Sequence, residues 1–224
     1  MNIHFQRELG RLKRNVLSLG AMVEESVRLA VKALETRDTE LAQRIIHVDR
    51  KIDEKEVEVE EECLKILALH QPVAIDLRII SSIIKINNDL ERVGDEAVNI
   101  AERVITMAKE TPANIQFDYN LMAEKTESML KRSLDAMIKL DEDIAYKVCL
   151  DDDEIDEMNG YIYDQVKLTI KREPEHVGYL INLLLVSRHL ERIADHATNI
   201  AEETIYVIGG VIHRHNLKEI TSPK

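Results

Sequence analysis

Apolar residues recur at threes and fours along most of the chain, as in Ile79, Ile83, Ile86, Leu90, Val93, Ala97, Ile100 and Val104. No stretch sustains the alternation of a half-buried strand. The pattern predicts an all-α protein. Asp38-Thr39 ends one helical pattern and can cap the next. Gln71-Pro72 and Glu110-Thr-Pro-Ala-Asn114 make two further breaks, Asp141 caps a new helix, Glu173-Pro174 ends it, and Gly209-Gly210 ends the last. Six helices follow, at about 2–36, 39–70, 73–110, 115–140, 142–172 and 175–208. Long helices joined by short turns pack antiparallel, so two three-helix bundles in tandem are the economical architecture.

A repeat supports that division. Leu90-Glu-Arg-Val-Gly-Asp-Glu-Ala-Val-Asn-Ile-Ala-Glu-Arg-Val-Ile105 returns as Leu190-Glu-Arg-Ile-Ala-Asp-His-Ala-Thr-Asn-Ile-Ala-Glu-Glu-Thr-Ile205, with ten of sixteen positions identical at an offset of 100. The two pseudo-symmetric halves are expected at 1–111 and 112–224. The only plausible linker, 112–118, is short enough for the bundles to pack as one unit. A purely structural repeat needs to keep only its apolar pattern. This one also keeps Glu91, Asp95, Asn99 and Glu102 as Glu191, Asp195, Asn199 and Glu202, and that polar identity points to function.

Composition narrows the classes. Of 224 residues, 42 are acidic and 30 basic, a formal net charge of −12 that disfavours a nucleic-acid partner. The N-terminus is charged throughout without an apolar signal core, and the longest apolar run, Val177 to Val186, is far too short to span a bilayer. A soluble cytoplasmic protein is expected. Cys63 and Cys149 are isolated and read as reduced core residues, and the methionines sit among aliphatic residues as core.

Acidic pairs at i and i+4 stand one turn apart on a single helix face, where like charge is mildly destabilising unless neutralised. Four such pairs occur at related places: Asp49/Asp53 and Glu91/Asp95 in the first half, Asp152/Asp156 and Glu191/Asp195 in the second. In each half the centres of the two pairs lie equidistant from the central proline turn, at Pro72 and beside Pro174. Each helical hairpin therefore sets its pairs level, roughly 30 Å from the turn at 1.5 Å per residue. Four carboxylates are expected to converge at each site. All-oxygen ligation of this kind suits magnesium, calcium, manganese or iron. Asn99 and Asn199 could add carbonyl oxygens, with Glu102 and Glu202 weaker candidates.

On a helical wheel Glu91, Asp95, Asn99 and Glu102 face away from the apolar stripe, so a metal would sit on the outer surface of a bundle. The opposing reading is a solvated acidic face, common in a chain with 32% charged residues. Repetition and hairpin register favour metal. Arg92 and Arg192 are expected in intrahelical or inter-bundle ion pairs, while His70, His176 and His189 share no spacing. His213-Arg-His215 is expected in an exposed tail. No phosphate-cradling glycine loop, GxSxG or HExxH is present.

With these motifs placed, the chain resembles the PhoU family over nearly its whole length. The likeness rests on Asp49-x-x-Ile52-Asp53, Leu69-His-Gln-Pro-Val-Ala-Ile-Asp-Leu-Arg78 and Leu90-Glu-Arg-Val-Gly-Asp95-x-x-x-Asn99-Ile-Ala101, with second-half counterparts. The second half departs at Arg172-Glu-Pro-Glu-His176, where the Gln-Pro segment is lost. The resemblance implies two three-helix bundles carrying polynuclear iron or zinc clusters on their surface. It also implies a non-catalytic regulator linking a phosphate ABC importer and its ATPase to a sensor histidine kinase, and restraining phosphate-starvation signalling. A homodimer, peripheral to the membrane through protein partners, is expected. The alternatives are a metal-dependent hydrolase or oxygen-activating enzyme, and a helical adaptor without metal.

Overall fold

In the computed structural model, residues 3–113, 115 and 117–211 are described; the His213-Arg-His215 tail lies outside them. The described residues form seven α-helices and no strand. These are α1 (Ile3–Thr36), α2 (Thr39–Val48), α3 (Arg50–His70), α4 (Ala74–Met107), α5 (Tyr119–Lys139), α6 (Glu142–Arg172) and α7 (Val177–Gly209), with a single 3-10 turn at Pro174–His176. Asp38, Asp118 and Asp141 each cap a helix, their carboxylates accepting from the backbone N–H groups of Leu41, Leu121 and Ile144 at 2.9–3.0 Å. Gln71 and Leu140 close α3 and α5 in the left-handed conformation. Gly210 does the same for α7 at φ 72°, where an added Cβ would also come within 3.2 Å of the Arg78 guanidinium.

The helix expected over 39–70 is interrupted at Asp49, the first acid of the first motif. No proline or glycine causes this. Asp49 keeps right-handed helical angles, but its carbonyl accepts from both Ile52 (2.7 Å) and Asp53 (3.2 Å), so one turn tightens locally. The two segments still act as one arm of the hairpin, both packing on α4. The helix expected to begin at 115 begins at Tyr119, after the Asp118 cap, and the one expected to run to 110 ends at Met107.

The first half is a bundle of α1, the α2–α3 arm and α4; the second is α5, α6 and α7. The halves meet along two seams, α1 against α5 and the long α4 against the long α7, the most extensive helix pairing in the molecule. Gly20 makes the first seam close, since a Cβ there would meet Leu134 at 2.6 Å. Leu12, Leu19, Ile52, Ile86, Leu90, Ile100, Met122, Met129 and Leu130 are fully buried and belong to a single cluster shared by both halves. A chain cleaved between Glu110 and Asp118 is therefore expected to elute as one species in native size-exclusion chromatography and to unfold in one transition. Release of two stable halves would show separate cores.

Candidate functional site

The tightened turn at Asp49 faces α4 at its glycine. A Cβ at Gly94 would stand 3.3 Å from Asp49 Oδ1 and 3.3 Å from Ile52, so this glycine lets the two arms of the hairpin approach. The approach buries Asp49 Oδ1 without a hydrogen-bond partner. Burial, reinforced by Asp53 and Asp95, pushes the Asp49 carboxyl up to about 6. Glu91 is raised by burial and then by Asp95, Asp53 and Glu56, and Asp95 by burial and then Asp53 and Glu96, each against the nearby Arg92. The four acids of the first hairpin thus feel one another across the groove between α3 and α4.

The second hairpin repeats the arrangement. Burial, then Asp195 and Asp156, push Asp152 up to about 6. Glu191 is raised by burial, with Asp195 and Asp156 adding to it and Arg188 in direct contact opposing it. Asp195 is raised by burial and Asp156 against Arg188, His196 and Arg192. Among the described residues, no three His, Cys, Asp or Glu side chains are already drawn to metal-ligating distance. The donor set nonetheless fits a hard or borderline cation: oxygen ligands only, an orphaned buried carboxylate oxygen, and charges that a cation would neutralise.

Asn99 and Asn199 use their amide nitrogens across or beside the seam. Their amide nitrogens donate to Glu96 (3.2 Å) and Asp89 (3.2 Å), acids of the seam between α4 and α7. That seam is a polar ladder. Arg78 donates to the Val207 carbonyl (3.1 Å), and Ser82 (3.0 Å) and Lys85 (2.8 Å) donate to Glu203. Asp89 faces Nδ1 of His196 (2.9 Å), and Glu96 faces Nδ1 of His189 (2.6 Å) and the Arg192 guanidinium (2.9 Å). Burial pushes Glu96 up, but the His189 and Asn99 hydrogen bonds and the Arg192 charge outweigh it and leave the carboxyl below its ordinary value. Of the intrahelical and inter-bundle ion pairs expected for Arg192, the structure shows an inter-bundle one, to Glu96. His189 and His196 were not singled out as a pair, although the repeat carries the signal: Asp89 and Glu96 in one copy correspond to His189 and His196 in the other. Burial pushes both free thiols, Cys63 and Cys149, up to about 12, which keeps them protonated and unreactive.

Among models of protein families, the PhoU domain matches the chain twice, over residues 16–104 and 119–204. The chain belongs to the PhoU family. It is 40% identical over 214 residues to the phosphate-specific transport system accessory protein PhoU homolog of Aquifex aeolicus (strain VF5), covering 95% of this chain and 97% of that protein. The homolog from Clostridium acetobutylicum is 37% identical over 207 residues, covering 92% and 94%. The crystal structure of PhoU from Pseudomonas aeruginosa superposes with a TM-score of 0.87 at 36% identity, over 92% of this chain and all of that one. The phosphate transport system regulatory protein PhoU from Streptococcus pneumoniae gives 0.83 at 31% identity, over 93% and 98%. The two family matches fall on the two bundles, each containing one four-carboxylate group.

The raised carboxyls make a pH prediction for metal-free protein. A carboxyl that holds its proton more tightly folded than unfolded favours the fold below its ordinary value of 3.8 and loses that contribution as pH rises through about 6. Chelator-treated protein is expected to unfold at lower denaturant at pH 7.5 than at pH 5. Asp49→Asn should flatten this dependence by on the order of 1 kcal/mol once solvent screening is allowed for. Identical profiles for wild type and variant would contradict the assignment.

Proposed function

We propose that this chain is a non-catalytic, metal-binding cytoplasmic regulator of phosphate uptake. It restrains phosphate-starvation signalling by coupling a phosphate ABC importer, through its ATPase, to the sensor histidine kinase. Support for the phosphate role comes from relatives matched over almost their full length, which are named as accessory proteins of phosphate-specific transport. The observation that carries the metal-binding part is the unpartnered buried oxygen of Asp49 within a group of four carboxylates, with a matching group in the other half.

Asp49, Asp53, Glu91 and Asp95, with the amide oxygen of Asn99, would hold metal in the first half, and Asp152, Asp156, Glu191 and Asp195, with that of Asn199, in the second, with iron or zinc clusters the proposed occupants. Bound cations would supply positive charge that cross-links the two arms of each hairpin. The carboxylates themselves position the group on the outer face of each bundle, away from the α4–α7 seam. A protein in this role needs no membrane span, and among the described residues no helix is long and apolar enough to form one. With a net charge of −12, recruitment to an anionic membrane surface falls to protein partners, and the working form is a homodimer.

Elemental analysis of protein purified without an affinity tag tests the metal. Glu91→Gln together with Asp95→Asn should empty the first half and leave the second loaded; unchanged metal content, or none in the wild type, refutes the assignment. The regulatory role is tested in cells. A deletion strain should express phosphate-starvation genes in phosphate-rich medium, and only while importer and kinase are both present. Normal repression in that strain, with steady substrate turnover by the metal-loaded protein that is lost with the acidic pairs, would favour a metal-dependent hydrolase instead.

A further inference from the structure

The first helices of the two bundles end alike and begin differently. Both α1 and α5 are followed by a left-handed residue, Arg37 and Leu140, and then by an aspartate that caps the next helix. Counted back from that landmark, α5 begins at Tyr119, level with Val16 of α1, because α1 has 34 residues and α5 has 21. The second bundle thus lacks roughly the first three and a half turns of its first helix. In the first bundle those turns are anchored on α3. Phe5, Leu9 and Leu12 are buried, Phe5 packs edge-on against the His70 ring, Glu8 lies 2.8 Å from Nε2 of His70, and Arg11 and Asn15 both donate to Glu62.

In the second bundle the corresponding stretch of α6 is covered only in part. Ala113, Ile115, Phe117 and Tyr119 pack over Ile162, Val166 and Leu180. Beside them an open cleft of about 710 Å³ remains, lined by Phe117, Asp118, Glu154, Glu157, Met158 and Tyr161. The face of α6 that borders it differs in character from its counterpart. Leu150, Glu154, Glu157, Tyr161 and Leu168 recur at helical spacing on one side, with Leu150, Tyr161 and Leu168 exposed by 57%, 53% and 46%. The matching residues of the first arm, His47, Lys51, Glu54, Glu58 and Lys65, are all polar. Three positions that are polar in one half are thus apolar in the other, and Lys51 is matched by an acid. A lone exposed leucine needs no explanation, but an apolar stripe beside a cleft marks a contact surface.

We propose that this cleft and the adjoining α6 face dock a basic amphipathic helix of a partner protein, which takes the place that the first turns of α1 fill in the other half. The lining selects the charge. The Phe117 and Tyr161 rings stack with centroids 6.4 Å apart at 26°, and Glu157 stands one turn from Tyr161 on the same face. Asp118 caps α5, and Glu154 reaches Lys125 at 2.9 Å with its side chain still half exposed. Aromatic rings beside carboxylates suit a guanidinium, which stacks flat on a ring while its edge donates to an acid. The leucines suit the apolar side chains of the same helix. A net charge of −12 favours encounter with a basic segment. A second copy of this chain is a poor occupant, because its own first turns are buried against its own α3. None of the lining residues belongs to the four-carboxylate groups, so docking here does not depend on metal.

A synthetic peptide of residues 3–15, the segment that fills the equivalent place in the first bundle and carries Arg7, Arg11, Lys13 and Arg14, serves as the probe. It is titrated into isotope-labelled, full-length protein and followed by nuclear magnetic resonance. Amide shifts should concentrate on 117–118 and 150–168. Tyr161→Glu, which installs the residue of the first half, and Glu157→Lys should each weaken binding about tenfold, as should replacing Arg7 and Arg11 of the peptide by glutamine. Both protein substitutions fall at exposed positions, and thermal unfolding checks that the fold is kept. The peptide variant tests the same contact on unaltered protein. No binding, shifts spread over the acidic surface, shifts on α3, or an affinity unchanged by these substitutions overturns the proposal. Dimerisation of the chain that is lost in Tyr161→Glu would assign the cleft to a second copy and overturn it as well.

Discussion

Everything in this molecule is referenced to the pairing of α4 with α7. Each helix is more than 30 residues long and has two duties on different sides of its circumference. Leu90, Val93, Ala97 and Ile100 of α4, with Leu190, Ile193, Ala197 and Ile200 of α7, are buried in the common core. Asp89 and Glu96 reach across to the partner helix, while Glu91 and Asp95 point toward the α3 arm. The rotation of 100° per residue separates these duties, so neighbours in sequence such as Asp95 and Glu96 belong to different contacts. Fixing the seam fixes where both carboxylate groups face.

Duplication alone would have produced a poor seam. Asp89 and Glu96 of α4 stand where His189 and His196 of α7 stand, and antiparallel packing sets 89 against 196 and 96 against 189. Two copies of α4 in that register would place Asp89 against Glu96, like charge on like, in a position nearly closed to water. The divergence of one copy to histidine turns two repulsions into two hydrogen-bonded pairs, and Arg192 and Asn199 complete the satisfaction of both acids. Buried polar pairs of this kind add little net stability over apolar packing. They do penalise the wrong register, and here the wrong register includes the pairing of a helix with its own copy.

Most of the architecture was legible because long amphipathic helices with aspartate caps and proline breaks leave few alternatives. The helix over 142–172 and its Asp141 cap are found where the pattern places them. The interruption at Asp49 was not legible, since neither glycine nor proline marks it and its cause is tertiary, the approach of α4 at Gly94. The level placement of the acidic pairs followed from counting outward from each proline turn, and the electrostatic coupling of Asp49 with Asp95 and of Asp152 with Asp195 agrees with it. Asn99 and Asn199 share the helix face of those acids on a wheel, yet their amide nitrogens donate to acids of the seam. A wheel assigns each residue one direction, whereas a side chain at the edge of a face can serve either neighbour. The histidine pairs were hidden for a related reason: they match nothing within their own half and acquire meaning only when the two copies are laid against each other.

The contrast between seam and groove says where this protein can respond to its surroundings. In the seam, acids meet histidine, arginine or lysine at hydrogen-bond distance and the low polarity strengthens each contact. In the grooves, acids meet chiefly other acids, opposed by Arg92 in the first and by Arg188 and Arg192 in the second. Local violations of good packing chemistry persist where another requirement maintains them, and a fold with an extensive shared core can carry two of them without unfolding. On the proposed reading, a cation entering a groove relieves repulsion already present and lowers the local negative charge while leaving the helices in place. The bundle interior then sets the fold, and the occupancy of the grooves sets what charge the surface presents to a partner.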